Sequence, residues 1–274
     1  MTNERTILLI GRTGNGRSTI ANVISNTKKF KESEYAISES EGGQIEHFRV
    51  RGGDMIYNII DTIGIGNNRF TEEETLRRLA NAIKGVQNGL NQIFFVISGK
   101  FTQEDVEAFT LFRTVFFGED IGKYTTIIQT KFPGFRDPEK RRKNKEVMRN
   151  QNENVATILS SCRRLVHVNN LTEQEDFRQR ARNDSRAFLR NYLSSNCQNV
   201  YIPSNLGEID ERIQNYLAEK NHGDDKQIQI NQLIKENQYL REQLNNFAAQ
   251  QEFQRFQNKF QNFLNPFQGF QGFF

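Results

Sequence analysis

Short, nearly unbroken runs of Ile, Leu, Val and Phe recur through the first two hundred residues. Between them lie longer stretches in which apolar residues return every three or four positions. Thr6–Ile10, Gln44–Val50, Met55–Asp61, Gln92–Ser98, Tyr124–Thr130 and Arg164–Val168 are the short runs. Their length and β-branched content predict strands. Several lack the alternation of a half-exposed strand, as expected where a parallel sheet is covered on both faces. Leu76, Leu79, Ala80, Ile83 and Val86 share one helical face. Phe109, Phe112, Val115 and Phe116 share another, and Val147, Val155, Ile158 and Leu159 do so less regularly. Strands alternating with helices predict an α/β protein with a mostly parallel, doubly wound sheet.

After Asn221-His-Gly-Asp-Asp the pattern changes to Gln, Asn, Lys and Glu with sparse apolar residues. Ile230, Leu233, Asn237, Leu240, Leu244 and Phe247 fit alternating a and d positions of a heptad. An Asn at an a position is a device for fixing register in a two-stranded coil. The same face would also suit an amphipathic helix folded back on the domain. Farther on, Phe253, Phe256, Phe260, Phe263, Phe267, Phe270, Phe273 and Phe274 alternate with Gln and Asn. Pro266, Gly269 and Gly272 are expected to end any helix there. Packing on the protein, self-association and contact with a membrane surface are all open to this tail. Arg255 and Lys259 offer an anionic membrane little electrostatic help.

Composition narrows the class. The 274 residues carry 37 basic and 33 acidic side chains, a net charge of +4, which is too mild to argue for nucleic acid. Two cysteines, Cys162 and Cys197, supply neither a disulfide framework nor a metal-ligand spacing. Nothing approaches the ~20 apolar residues of a membrane-spanning helix, and Met1-Thr-Asn-Glu-Arg has no apolar run behind it. A soluble, cytoplasmic protein is expected. The basic run Lys140-Arg-Arg-Lys143, Lys145 and Arg149 reads as the solvated face of a helix, and His167 as a strand residue.

The chemistry is concentrated behind the first strand. Gly11-Arg12-Thr13-Gly14-Asn15-Gly16-Arg17-Ser18-Thr19 opens a helix and matches G-x-x-x-x-G-K/R-S/T in its strand–loop–helix context. Its glycines let successive backbone N–H groups turn toward an anion. The helix N-terminus adds partial positive charge, and Ser18 supplies a hydroxyl for Mg²⁺. Arg17 stands where lysine is usual, and a planar guanidinium does not reach phosphates as a flexible ammonium does. At the end of the third strand, Asp61-Thr-Ile-Gly64 offers a carboxylate for the metal and an amide for a terminal phosphate.

GRTGNGRST, DTIG, TTIIQTKF, VHVNN and Ser185-Arg186 together resemble the AIG-type GTP-binding domain. That group includes the immunity-associated GTPases and, more distantly, the chloroplast protein-import receptors and septins. The resemblance covers roughly residues 5 to 200. It implies a Ras-like phosphate-loop fold that binds GTP or GDP with Mg²⁺ and often dimerises across the nucleotide face.

Carried over by position, Gly11 to Thr19 and Gly64 would hold the phosphates, with Ser18 and Asp61 as metal ligands. Counting from Phe30 places a first-switch hydroxyl at Ser40, a further candidate ligand for metal and nucleotide in a stretch that equally suits an ordinary loop. Thr130 and Lys131 would meet the base, with Asn169 and Asn170 at its polar edge. Pro133 stands where a guanine reader carries Asp, so guanine over adenine rests on the resemblance, and ATP on the same fold is the alternative. No glutamine follows Gly64, which implies slow or partner-dependent hydrolysis, and no catalytic residue is nominated. The implied organisation is a G domain over 1–204, a helical linker over 205–223, an amphipathic helix or coiled coil over 224–264, and a Phe/Gln-rich tail over 265–274. A guanine-nucleotide switch that forms a homodimer through the G domain or the coil is expected. A degenerate scaffold acting through coil and tail is the rival.

Overall fold

The computed structural model describes residues 4–30, 32, 44–49, 56–66, 69–86, 88–170, 175–203, 206–221, 232–242, 253 and 255. Ser40, Ile230, Leu244, Phe247 and the whole Phe/Gln-rich tail over 265–274 lie outside the described residues. The order of elements is β1 (Glu4–Gly11), α1 (Arg17–Ser25), β2 (Gln44–Arg49), β3 (Ile56–Asp61), α2 (Glu72–Lys84) and β4 (Gln92–Ser98). There follow α3 (Gln103–Leu111), β5 (Thr125–Thr130), α4 (Pro138–Arg149), α5 (Glu153–Ser161), β6 (Arg164–His167) and α6 (Glu175–Asn196).

The strands form one sheet in the order β2-β3-β1-β4-β5-β6. β2 runs antiparallel to β3, and the other pairings are parallel. The fold is therefore the expected doubly wound α/β sheet of Ras-like type. All six strands coincide with the apolar runs to within a residue or two.

Alternation along β1 and β4 sorts the core. Ile7, Leu9, Phe94 and Val96 join Ile20, Val23 and Ile24 of α1 and Leu189, Tyr192 and Leu193 of α6 in one buried cluster. Phe95 turns to the other face, where its ring meets Phe109 of α3 edge-on at 5.2 Å and stacks near Phe101. α3 runs on into a wider π-helical turn, Phe112–Phe117, whose buried rings keep the apolar stripe facing inward.

Two expectations meet a different local structure. Val147 belongs to α4 and is exposed, whereas Val155, Ile158 and Leu159 are buried on a separate helix, α5. The break comes at Asn152, whose side chain accepts from the Val155 N–H and caps a new helix. Beyond residue 204 the chain stays in the domain for another turn and more. Leu90 and Tyr201 exchange two backbone hydrogen bonds of 2.7 Å, Ile209 and Ile213 are buried, and Lys84 pairs with Asp210 at 2.7 Å. One compact unit spans Met1–Tyr216 and a second Leu217–Phe274.

In the second unit, residues 232–242 form a helix. Leu233, Ile234, Tyr239 and Leu240 are each more than half exposed on it, and Asn237 donates to the Leu233 carbonyl one turn back at 3.2 Å. No helix among the described residues is long and apolar enough to cross a membrane.

Candidate functional site

β1 lies between β3 and β4; the chain leaves it through α1 for β2 and β3 on one side and then crosses back through α2 to β4 on the other, so the carboxyl end of β1 is where the strand order reverses. Crevices at such points are where open α/β sheets bind ligands. Here the glycine-rich loop leaves β1. Gly11 has φ +142°, and a Cβ on it would lie 2.4 Å from the Val96 carbonyl oxygen, so only glycine lets β1 and β4 stay paired at this point. Gly14 (φ +83°) and Gly16 (φ +89°) turn the loop through left-handed conformations that other residues resist. Gly16 is the N-cap of α1 and carries no side chain to satisfy the first helical N–H groups, which therefore remain available to an anion.

The loop is fastened from three sides. Asn15 donates to the Val96 carbonyl (2.9 Å) and to Asp105 Oδ1 (3.0 Å). Asp105 is itself the buried third residue of a capping box with Thr102 at the start of α3. Thr130 Oγ1 donates to the Asn15 carbonyl (2.8 Å). On the third side, Thr13 N–H bonds the Ile65 carbonyl (3.0 Å) and Ile65 N–H bonds the Gly11 carbonyl (3.2 Å). Asp105 escaped the sequence reading, although its T-x-x-D box was visible there.

The metal candidates come together. Ser18 Oγ lies 2.5 Å from Asp61 Oδ2. Asp61 is 1% exposed, and its other oxygen, Oδ1, has no hydrogen-bond partner. Burial pushes the Asp61 carboxyl above the usual carboxylate range, while Arg17 and the Ser18 hydroxyl pull it back. Among the described residues there is no group of three His, Cys, Asp or Glu able to hold a metal. Mg²⁺, however, needs only one or two protein oxygens where phosphates complete its shell. A hydroxyl beside a carboxylate whose second, buried oxygen makes no hydrogen bond fits that requirement.

Arg17 does not extend along the loop. Its buried guanidinium donates to both the Thr62 carbonyl and Thr62 Oγ1, and sits 3.9 Å from Asp61 Oδ1. Thr62 is held in turn by the Leu9 carbonyl at 2.8 Å. Burial lowers the Arg17 pKa against the opposing pull of Asp61. Gly64 lies so close that a Cβ would be 2.4 Å from Thr13 Oγ1 and 2.7 Å from the Arg17 guanidinium.

At the base end, Lys131 is exposed and holds a left-handed φ of 55° directly after β5. Phe132 N–H bonds the Val168 carbonyl (3.2 Å) and its ring lies 4.8 Å from that of His167. The loops after β5 and β6 are thereby joined. Asn169 and Asn170 are both buried, and neither amide atom of the Asn170 side chain has a partner among the described residues. A cavity of about 330 Å³ opens beside Asn169, lined also by Arg136, Phe177, Arg180, Ala181 and Asp184. His167, bonded through Nε2 to Asn144 Oδ1 (2.9 Å), has its pKa pushed down to about 4 by burial and by Arg141 and Lys145. It supports the Phe132 ring from behind.

Glu32, also unforeseen from sequence, bridges Thr19 (3.1 Å), Asn22 (2.8 Å) and Arg182 (2.5 Å). Arg182 also reaches the Asn170 carbonyl at 3.4 Å. The basic run is the solvated face of α4, where Arg142 pairs with Glu139 and Glu146. Cys162 and Cys197 are buried thiols pushed up to about 12.

A glycine-rich loop joining β1 to α1, with a Ser–Asp pair at the adjoining strand end, defines a Ras-like phosphate-loop GTPase fold. Among solved structures, Era in complex with MgGDPNP and 16S ribosomal RNA superposes with a TM-score of 0.51 at 12% identity, covering 74% of this chain and 60% of that one. Toc33 from Arabidopsis thaliana in complex with Mg²⁺ and GMPPNP gives 0.50 at 16% identity, covering 73% and 89%. Residues 5–185 match the AIG1 family, and the chain belongs to it. Immune-associated nucleotide-binding protein 9 of A. thaliana is 26% identical over 127 residues, 46% of this chain and 37% of that protein. Its paralogue protein 12 is 29% identical over 128 residues, 46% of this chain and 32% of that protein. The matched stretch thus spans about a third of these relatives' length.

Proposed function

We propose that the protein is a guanine-nucleotide switch that takes GTP or GDP with Mg²⁺ and hydrolyses GTP slowly or only with a partner. The observation that carries this reading is the Ser18–Asp61 pair, with Asp61 Oδ1 buried and making no hydrogen bond, beneath a loop whose helix N-terminus has no side-chain cap. Gly11 to Thr19 would wrap the phosphates. Ser18 and Asp61 would hold the cation, joined by Ser40 in the triphosphate state, and the Gly64 amide would meet the γ-phosphate. The bound cation would neutralise phosphate charge; the chain's own part is to fix the phosphates in its amide cradle. Thr130 acts by holding the Asn15 carbonyl, while Lys131, Asn169 and Asn170 would face the base. Relatives named for nucleotide binding and folds solved with guanine nucleotide analogues support guanine over adenine.

Slow turnover follows from the segment after Gly64. Ile65 is pinned in a backbone bridge to Arg12 and brings no group that could orient water. Ras-like sites without an arginine supplied in trans turn over at roughly 10⁻³ s⁻¹ or below. A peripheral role for the Phe/Gln tail and a homodimer remain parts of the proposal, as does residence in the cytoplasm.

The test is equilibrium titration of the full chain with GTP, GDP and ATP, with and without Mg²⁺. Guanine-selective, Mg²⁺-sensitive binding is expected, weakened at least tenfold by Ser18→Ala and by Asp61→Ala. Equal affinity for ATP would overturn the guanine assignment, and no binding would leave the scaffold reading, with coil and tail as the working parts.

A further inference from the structure

The usual lysine of a phosphate loop extends along it toward the phosphates, whereas Arg17 is turned away and buried against the strand end that carries the metal carboxylate. Its guanidinium holds two acceptors of Thr62 at once and stands 3.9 Å from Asp61 Oδ1, the one oxygen of that carboxylate without a hydrogen bond. The cationic place beside Asp61 is therefore taken by the protein's own side chain. Two cations sharing one buried carboxylate repel strongly, because little water is present to screen them. The Gly64 backbone packs against Arg17 as well, so the residue expected to sense the γ-phosphate touches the same guanidinium.

We propose that Arg17 is a latch whose two positions are exclusive: either it pairs with Asp61 and Thr62, or Asp61 holds a divalent cation and Arg17 has swung out toward the phosphates. This rests on the reading of the site as one for Mg²⁺ and nucleotide. It adds that phosphate and metal act together, since phosphate supplies the new partner that releases Arg17 and its release frees Asp61. Guanidinium suits this role better than ammonium. One terminal nitrogen, Nη1, donates to the Thr62 carbonyl and hydroxyl together, and guanidinium is the more weakly hydrated cation when buried.

The experiment is Mn²⁺ titration of the full chain, followed by electron paramagnetic resonance and without nucleotide. The native chain should take up Mn²⁺ weakly. Arg17→Lys should bind it at least tenfold more tightly, and adding Asp61→Asn should remove the gain. Thr62→Val deletes one of the two acceptors, together with the hydroxyl's bond to the Leu9 carbonyl, and should tighten Mn²⁺ severalfold. Melting curves of each variant establish that it is folded. Unchanged Mn²⁺ affinity in folded Arg17→Lys and in Thr62→Val would overturn the latch. Failure of the native chain to bind any guanine nucleotide would instead overturn the proposed function, and the Mn²⁺ result would still decide the latch.

Discussion

Lys131 holds a φ of 55°, a conformation that costs a side-chain-bearing residue about 1 kcal/mol. Asn170 buries an amide with no hydrogen-bond partner, which costs roughly 1–3 kcal/mol. Both belong to the end of the site proposed to take the base, and under that proposal function there would be kept at the expense of stability. Lys131→Gly is expected to raise stability by about 1 kcal/mol while weakening guanine-nucleotide binding. Asn170→Ala should leave the melting temperature unchanged or higher, yet lower nucleotide affinity about tenfold, the effect of one hydrogen bond of ~1.4 kcal/mol. Calorimetric melts paired with nucleotide titrations check both. If either variant lost stability and kept its affinity, its residue would be structural.

His167 gives a pH signature. Its native pKa is about 4 against an ordinary 6.5, so between these values the unfolded chain takes up a proton that the native chain refuses. Stability is full above pH 6.5 and falls as the pH is lowered toward 4. His167→Gln should flatten that slope in melting curves recorded from pH 4 to 7.

At the scale of elements, the phosphate loop is positioned by neighbours that contribute nothing to a ligand. Asp105 caps α3 through Thr102 and, with its second oxygen, grips Asn15. Removing it deletes a cap worth about 1 kcal/mol and strands the buried Asn15 amide, so Asp105→Ala should cost about 2–3 kcal/mol in urea unfolding. A comparable loosening is expected in the anion affinity of the loop. Glu32 is tied to Thr19 and Asn22 of α1 and to Arg182 of α6, which also reaches the Asn170 carbonyl. One ion pair thus connects Asn170, after β6, to Thr19 in the first turn of α1.

For the whole molecule, the division into Met1–Tyr216 and Leu217–Phe274 separates the α/β unit from one whose described residues 217–221 and 232–242 are helical. Leu233 and Leu240, at heptad positions, are 53% and 56% exposed. An apolar seam of that kind is what a second copy would cover. Light scattering is expected to give a dimer for the full chain and a smaller species for residues 1–222. Equal masses at every nucleotide state would refute assembly through the coil.

The strands and their order of appearance were legible because an unbroken apolar run between turn residues has few other fates. The phosphate loop and DTIG were legible because glycine spacing, a helix start and a strand end are local properties of the chain. The sequence by itself therefore determined the α/β class and the loop, and it named Ser18 and Asp61 as residues to be considered together. The partners of Arg17, the grip of Asp105 on Asn15, the Glu32–Arg182 bridge and the burial of Ile209 and Ile213 in the domain were decided only by tertiary structure. Each joins residues that the chain separates and the sheet's crossovers bring together. Sequence periodicity records which side of an element is apolar, but not which distant polar group a buried side chain will find.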